Sequence, residues 1–405
     1  MFSLLTRNIL FGAMAAWLFT VAVVAQTPNY QQNIDVTAAW LASDRPSTST
    51  TPTDGSILVS PNAAAYEIEP YFANLAATGW TTDSAYYSDI QSWMNWYWKN
   101  VYWPDPNYPS PPYPQKLYGD IDDFSVTFSN GTYTEQKMTG SGHPDSTDSY
   151  AATFLTLAWA YYQTGDAAQT YINSIQEDLN YVGEVIVYTK QANNLTWALP
   201  NYQIQYLMDN SEAYAGLQAL ANIYTALDTK YSTNEYSQQI TFFQAQATEM
   251  LKGIQNSLCC TGSNDFYDYT TYNPANPVGP TWNVWYHDSN TGNFGAVEQL
   301  YPIANGVISP SSNQAQEIYK TFNDNWATGG STNWPTLNNS DTYPWVIVAY
   351  VAALMGDTKN VNTFINSIET NYIDNDNNFA GNANHSWSCN EAGWFMRLNA
   401  YMLSH

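Results

Sequence analysis

Carboxylates recur at the starts of helical segments in this sequence, and aromatic residues stand beside them. Asp145 and Asp148 lie in the run from His143 to Tyr150, and Asp209 and Glu212 in the run from Met208 to Tyr214. Asp341 precedes Tyr343 and Trp345, and Glu391 follows Cys389 and Asn390. A pair of such groups can cleave a glycosidic bond. One carboxyl stays protonated and donates to the leaving oxygen, while an ionised partner activates water or attacks the anomeric carbon. Burial and like-charged neighbours raise one pKa and leave the other low. Aromatic rings give sugar rings an apolar face. The sequence supplies Trp93, Trp96, Trp98, Tyr102 and Trp103 in one cluster, then Trp282, Trp285, Tyr286, Trp334, Trp345, Trp387 and Trp394. The competing reading is helix capping, because Asp and Asn satisfy free N–H groups and complement the dipole. Asp209 and Glu212 also have the spacing of a capping box. Capping does not account for the Trp and Tyr that lie so close to many of the acids.

Two further groups bear on a site. His287 and Asp288 follow Trp285 and Tyr286 and are expected either to line the same mouth or to form a polar loop. Asp120, Asp122 and Asp123 sit between Gly119 and Phe124. Their alternation resembles a set of calcium ligands, but the spacing does not fit an EF-hand, and a solvated or substrate-facing loop is the expectation. The sequence has no GxSxG, HExxH, phosphate loop or dinucleotide fingerprint. We therefore expect no cofactor and no metal.

The elements that would carry these acids come in pairs. Tyr66–Thr78 pairs with Ser84–Val101, Asp148–Thr164 with Ala167–Val185, and Glu212–Leu227 with Asn234–Leu258. Phe294–Val307 pairs with Ser312–Trp326 and Thr342–Met355 with Lys359–Tyr372, and Glu391–Leu403 closes the chain. Ala151, Phe154, Leu155, Ala158 and Tyr162 fall on one helical face, as do Ala213, Leu217, Leu220, Tyr224 and Leu227. Glycine marks several of the turns, as a helix C-terminus prefers. Repeated helical hairpins predict an all-α (α/α)6 barrel, with an open solenoid as the alternative. The last hairpin would take the short helix near Val36–Ala42 as its partner. If the first helices run parallel around a ring, their acids converge at one mouth. The irregular stretch from Trp103 to Ser146 is expected to form a lid or rim.

Residues 1–25 read as an export signal, with Arg7 followed by an apolar stretch and small residues at Val23 and Ala25. Residues 26–53 form a Thr/Ser/Pro-rich segment, and 54–405 a single catalytic domain. The expectation is a secreted, extracellular or periplasmic protein. The net charge of −24, with only 11 Lys and Arg, repels nucleic acid and anionic lipid and disfavours a strongly anionic substrate. With 44% hydrophobic residues, the chain has the means to build a core. We expect a monomer whose partner is an oligo- or polysaccharide, with no nucleic acid and no membrane once the signal is removed. Of three cysteines, Cys389 is expected to bridge to Cys259 or Cys260, since vicinal pairs are strained.

Four segments carry a resemblance to a known group. They are Asp54–Ile57 with Ile68–Asn74, Asp145–Phe154, Leu195–Tyr202 with Tyr206–Glu212, and Trp285–Asp288 with Gln299–Ile303. In these the chain resembles the six-hairpin glycosidase superfamily, and more closely a group of secreted bacterial proteins with that barrel. The resemblance implies the (α/α)6 fold and glycoside hydrolase activity, and it leaves the sugar open. Helix-start position and motif match together point to Glu212 as general acid and Asp148 as general base. Asp145, Asp209 and Asp288 are then supporting acids. Tyr150, Tyr214, Trp285, Tyr286 and His287 are sugar contacts. An inverting hydrolase on a neutral or weakly charged glycan is the expectation. A polysaccharide lyase and a non-catalytic glycan-binding protein are the alternatives.

Overall fold

The computed structural model describes residues 27–43, 55–60, 66–104, 117–130, 132–138, 144–260, 264–288, 293–330, 332–373, 379 and 386–405. The export signal, His143 and the Asp54 start of the first resembling segment fall outside the described residues, as does the side chain of Asp288.

In chain order the elements begin with α1 (Tyr30–Ser43), β1 (Tyr66–Ile68), α2 (Pro70–Trp80) and α3 (Tyr87–Asn100). Next come β2 (Phe124–Ser129), β3 (Thr132–Lys137), α4 (Asp148–Tyr162), α5 (Asp166–Ser174) and α6 (Gln176–Thr189). β4 (Ile204–Tyr206) leads into α7 (Leu207–Tyr231), followed by α8 (Ser237–Gly253) and β5 (Tyr269–Thr271). β6 (His287–Asp288), β7 (Asn293–Phe294), α9 (Tyr301–Ala304) and α10 (Asn313–Trp326) follow. α11 (Val346–Leu354), α12 (Thr358–Ile368) and α13 (Cys389–Ser404) complete the order.

Six of these helices close a ring. α2 packs against α4, α4 against α7, α7 against α9, α9 against α11, α11 against α13, and α13 against α2. This closure excludes the open solenoid. It depends on small residues where the last helix meets the first. A Cβ on Gly393 would lie 2.1 Å from Leu75 O, and one on Gly79 would lie 2.7 Å from Gly393 Cα. Only bare backbone lets the two helices approach this closely. α4 has Phe154, Leu155, Leu157 and Ala158 all buried, as a helix enclosed on several sides must. The outer helices are amphipathic: α12 buries Val361, Phe364, Ile365 and Ile368 on one stripe. As expected, the N-terminal helix completes the last hairpin. α1 packs on α13, with Asn33 Nδ2 donating to Asn399 Oδ1 at 3.0 Å. A boundary at residue 53 therefore does not separate α1 from the barrel.

Several boundaries differ from the sequence reading. The segment expected as one helix from Phe294 starts as strand β7, and α9 begins only at Tyr301. The apolar residues there are buried on every side, so their pattern resembles a helix without requiring one. The segment at Tyr66 likewise opens as β1, with Pro70 at the first turn of α2. β1 pairs antiparallel with β2, and β2 with β3, so the long stretch after Trp103 contributes a sheet beside the start of α2. Cys259 and Cys260 are bonded to each other, with Gln314 Nε2 at 3.5 Å from Cys259 Sγ. The expected bridge from Cys389 to one of them is not made; Cys389 is buried at the start of α13.

Candidate active site

A cavity of about 750 Å³ opens at the ring end where the inner helices begin. Every inner helix contributes from its start. Glu69 and Tyr71 come from α2, Asp145, Ser146 and Tyr150 from α4, and Asp209 and Glu212 from α7. Tyr301 comes from α9, Trp345 and Ile347 from α11, and Glu391 and Trp394 from α13. Apart from α9, a single turn, the inner helices thus aim the positive ends of their dipoles at one space, which favours negative charge there. No Lys, Arg or His is among the described residues that line it.

Asp145, Asp209, Glu212, Asp341 and Glu391 line the mouth and Asp148 does not, and the capping is not the kind anticipated. α7 begins at Leu207, so Asp209 and Glu212 lie within its first turns and form no capping box. Three residues apart, they project on one face. The caps come instead from neighbouring helices. Glu298 Oε2 accepts from Met208 N at 3.1 Å, and Glu391 Oε2 accepts from Val346 N at 2.7 Å.

Glu212 is the best-defined acid. It is 4% exposed, and Tyr71 Oη donates to its Oε1 at 2.6 Å. Its Oε2 has no hydrogen-bond partner. Burial pushes its carboxyl up to about 8, opposed by the Tyr71 hydrogen bond and reinforced by the charges of Asp148 and Asp145. At neutral pH it is held protonated. Asp209 is also raised, chiefly by burial and then by Asp148, Glu212, Glu298 and Asp145. Glu391 is raised to about 7, mainly by burial, against the Val346 N–H. Glu69 is raised to about 8 by burial and the charges of Asp123, Asp145 and Glu67.

Asp148 stands behind this wall. It is fully buried and does not line the cavity. Its Oδ1 accepts from Ser146 Oγ at 2.8 Å and from Ser149 N at 3.0 Å, and Ser146 Oγ lies 3.4 Å from Asp209 Oδ2. The backbone turn that starts α4 directs Asp148 inward. Asp145 comes before that turn, exposed and on the cavity side.

The expected sugar contacts divide. Tyr150 lines the cavity, stacks on Tyr71 at 6.0 Å and donates to Asp123 Oδ1 at 2.9 Å. Tyr286 also lines it, 4.4 Å from the Trp345 ring. Trp285 points the opposite way into the core, against Trp326 and Phe322 of α10. Tyr214 follows Glu212 by two residues, which turns it roughly 200° around the helix and away from the cavity. There its hydroxyl accepts from Gln218 Nε2 at 3.2 Å. His287 is exposed on β6 against Phe294 and does not line the cavity. Trp93 and Trp96 are wholly buried core, stacked at 5.0 Å.

The Asp120–Asp123 group is buried rather than solvated. Asp122 accepts from Tyr102 Oη and lies 3.7 Å from Lys137 Nζ. No cluster suited to a metal ion occurs among the described residues.

Glu69, Tyr71, Tyr301 and Tyr343 were not anticipated as site residues. Glu69 had a usable signal, since it is an acid immediately before a proline that starts a helix. Glu298 had none, because it lies in a 3-10 turn with no periodic pattern.

No protein-family model matches the chain, and no curated protein does. Solved structures do match, at low identity. A GH76 alpha-mannanase from Bacteroides thetaiotaomicron superposes with a TM-score of 0.57 and 12% identity, over 93% of this chain and 98% of that one. A GH63 mannosylglycerate hydrolase from Thermus thermophilus, in complex with glucose, gives 0.58 and 8%, over 92% and 99%. A rhamnosidase from Klebsiella oxytoca with rhamnose bound gives 0.53 and 11%, over 92% and 64%. These likenesses show the fold, an (α/α)6 barrel of helical hairpins.

Proposed function

We propose that this protein is a secreted glycoside hydrolase acting on a neutral or weakly charged glycan. One observation carries the reading: buried Glu212, its carboxyl pushed up by burial, faces an aromatic-walled cavity whose described lining holds further acids and no Lys, Arg or His. Glu212 donates its proton to the leaving glycosidic oxygen. The base must meet bulk water, which Asp148 does not do. Asp145 does, and its charge is felt by Glu212, so Asp145 takes the role of general base. Asp148 becomes a positioning residue, acting through Ser146 and Asp209. The wide cavity leaves room for a water beneath the sugar, in keeping with inversion.

The lyase alternative needs a cation to neutralise a uronate, and none lines the cavity among the described residues. The test is release of new reducing ends from a panel of neutral polysaccharides. Glu212→Gln and Asp145→Asn should each lower kcat by about 100- to 10,000-fold. Full turnover in either variant refutes its role. Unsaturated products absorbing in the ultraviolet would favour the lyase. The anomer first seen by NMR separates inversion from retention.

A further inference from the structure

A second concavity of about 330 Å³ adjoins the acidic cavity and shares Asn201 and Tyr202 with it. It lies where the ribbon of β4 and β5 reaches the barrel rim, and Gln203, Ile204, Thr271, Tyr272 and Asn273 complete its walls. Its described lining contains amides, hydroxyls and tyrosine rings, and no charge. Tyr202 is 48% exposed, a large ring area left in water at the junction of the two spaces. Tyr272 packs edge-on against Trp197 at 6.4 Å.

The aromatic residues do not stop at the junction. The Tyr202 ring lies 6.5 Å from Tyr206, Tyr206 lies 4.9 Å from Phe294, Phe294 lies 5.6 Å from Tyr286, and Tyr286 lies 4.4 Å from Trp345. All five line the acidic cavity. A continuous aromatic track therefore runs from the outer groove across the cavity. The hydroxyls of Tyr202 and Tyr206, 3.1 Å apart, tie its first step together.

We propose that the outer groove is a distal subsite for a neutral sugar ring of a chain whose scissile bond lies at Glu212. This inference rests on the glycoside hydrolase reading and extends it: the substrate is an uncharged oligo- or polysaccharide long enough to span both spaces. Amides suit the alternating donors and acceptors of sugar hydroxyls. Tyrosine faces suit the C–H side of the ring. An uncharged lining gives no advantage to a uronate or an amino sugar.

The test uses α-manno- and α-gluco-oligosaccharide ladders, from dimer to hexamer, with the full protein. Binding and KM are measured for wild type, Tyr202→Ala, Tyr202→Phe and Tyr272→Ala. Losing the Tyr202 ring should raise KM for the hexamer by about 3- to 10-fold and that for the dimer by distinctly less, because Tyr202 borders both spaces. Tyr202→Phe keeps the ring and loses only the contact to Tyr206 Oη, so its KM for the hexamer should lie nearer wild type than that of Tyr202→Ala. Tyr272→Ala should repeat the length-dependent loss through a different side chain. Equal effects on dimer and hexamer, no effect on either, or no hexamer binding at all would overturn the subsite. Failure of the hydrolase reading shows separately, as unchanged turnover in Glu212→Gln while the length dependence persists.

Discussion

Replacing Glu212 by Gln tests the electrostatics of the site without requiring a substrate. The carboxyl of Glu212 rises from 4.5 to about 8 on folding, with burial as the main cause. The folded state therefore binds this proton more tightly than the unfolded chain does. The stability it contributes is complete below pH 4.5 and is lost as pH rises through about 8. The full difference is roughly 5 kcal/mol. In a chain of this size that corresponds to roughly 6 °C in Tm. Asp268 and Glu69, each raised to about 8 chiefly by burial, act in the same direction. Wild-type Tm should thus fall between pH 5 and pH 9. Glutamine cannot ionise and keeps an acceptor for Tyr71, so Glu212→Gln should lose less Tm over that range by about the stated amount. Differential scanning calorimetry across the pH series gives both curves. A wild-type Tm that is flat or rises to pH 9, or parallel curves for the two proteins, would show that Glu212 is not held protonated by the fold.

The neighbours of Glu212 should move the alkaline limb of kcat/KM in opposite directions. Tyr71→Phe removes the hydrogen bond that lowers its pKa, so the limb should shift to higher pH. Asp148→Asn removes a like charge that raises it, so the limb should shift to lower pH, which a pH–rate profile reads directly. Gly393→Ala places a methyl group on the Leu75 carbonyl where the ring closes, and should cost about 1–3 kcal/mol in chemical denaturation. Gly356→Ala tests the other kind of glycine. With φ of +79° and nothing within 4 Å of its would-be Cβ, it should destabilise through backbone strain alone, by about 1 kcal/mol.

The ring was legible because its helices announce themselves. α4 and α7 carry apolar residues at helical spacing, and glycines sit at the turns after α4 and α11, so hairpin count and order follow from pattern alone. Even the pairing of the N-terminal helix with α13 followed from needing a sixth partner. α9 was not legible in the same way. It is a single turn after a strand, and the apolar run around it is enclosed on all sides, which leaves no periodicity to distinguish turn, strand and helix.

The site was legible as a set, and individual directions were not. Position at a helix start places an acid at the mouth, but one residue of backbone turn decides which side of the wall it occupies. Asp145 and Asp148 share a motif and end on opposite sides, and Trp285 and Tyr286 part in the same manner. That division has a chemical consequence. Asp148, sealed from water and bonded to Ser146, contributes a field and a fixed position. Asp145, open to water, can exchange a proton with solvent. The longer helix starts around them lower the cost of an ionised carboxylate in this space. Burial holds Glu212 neutral one turn into α7, whereas Asp145 stays in contact with water. A barrel that points its inner helices at the same mouth can set a buried acid and a solvated one within one cavity.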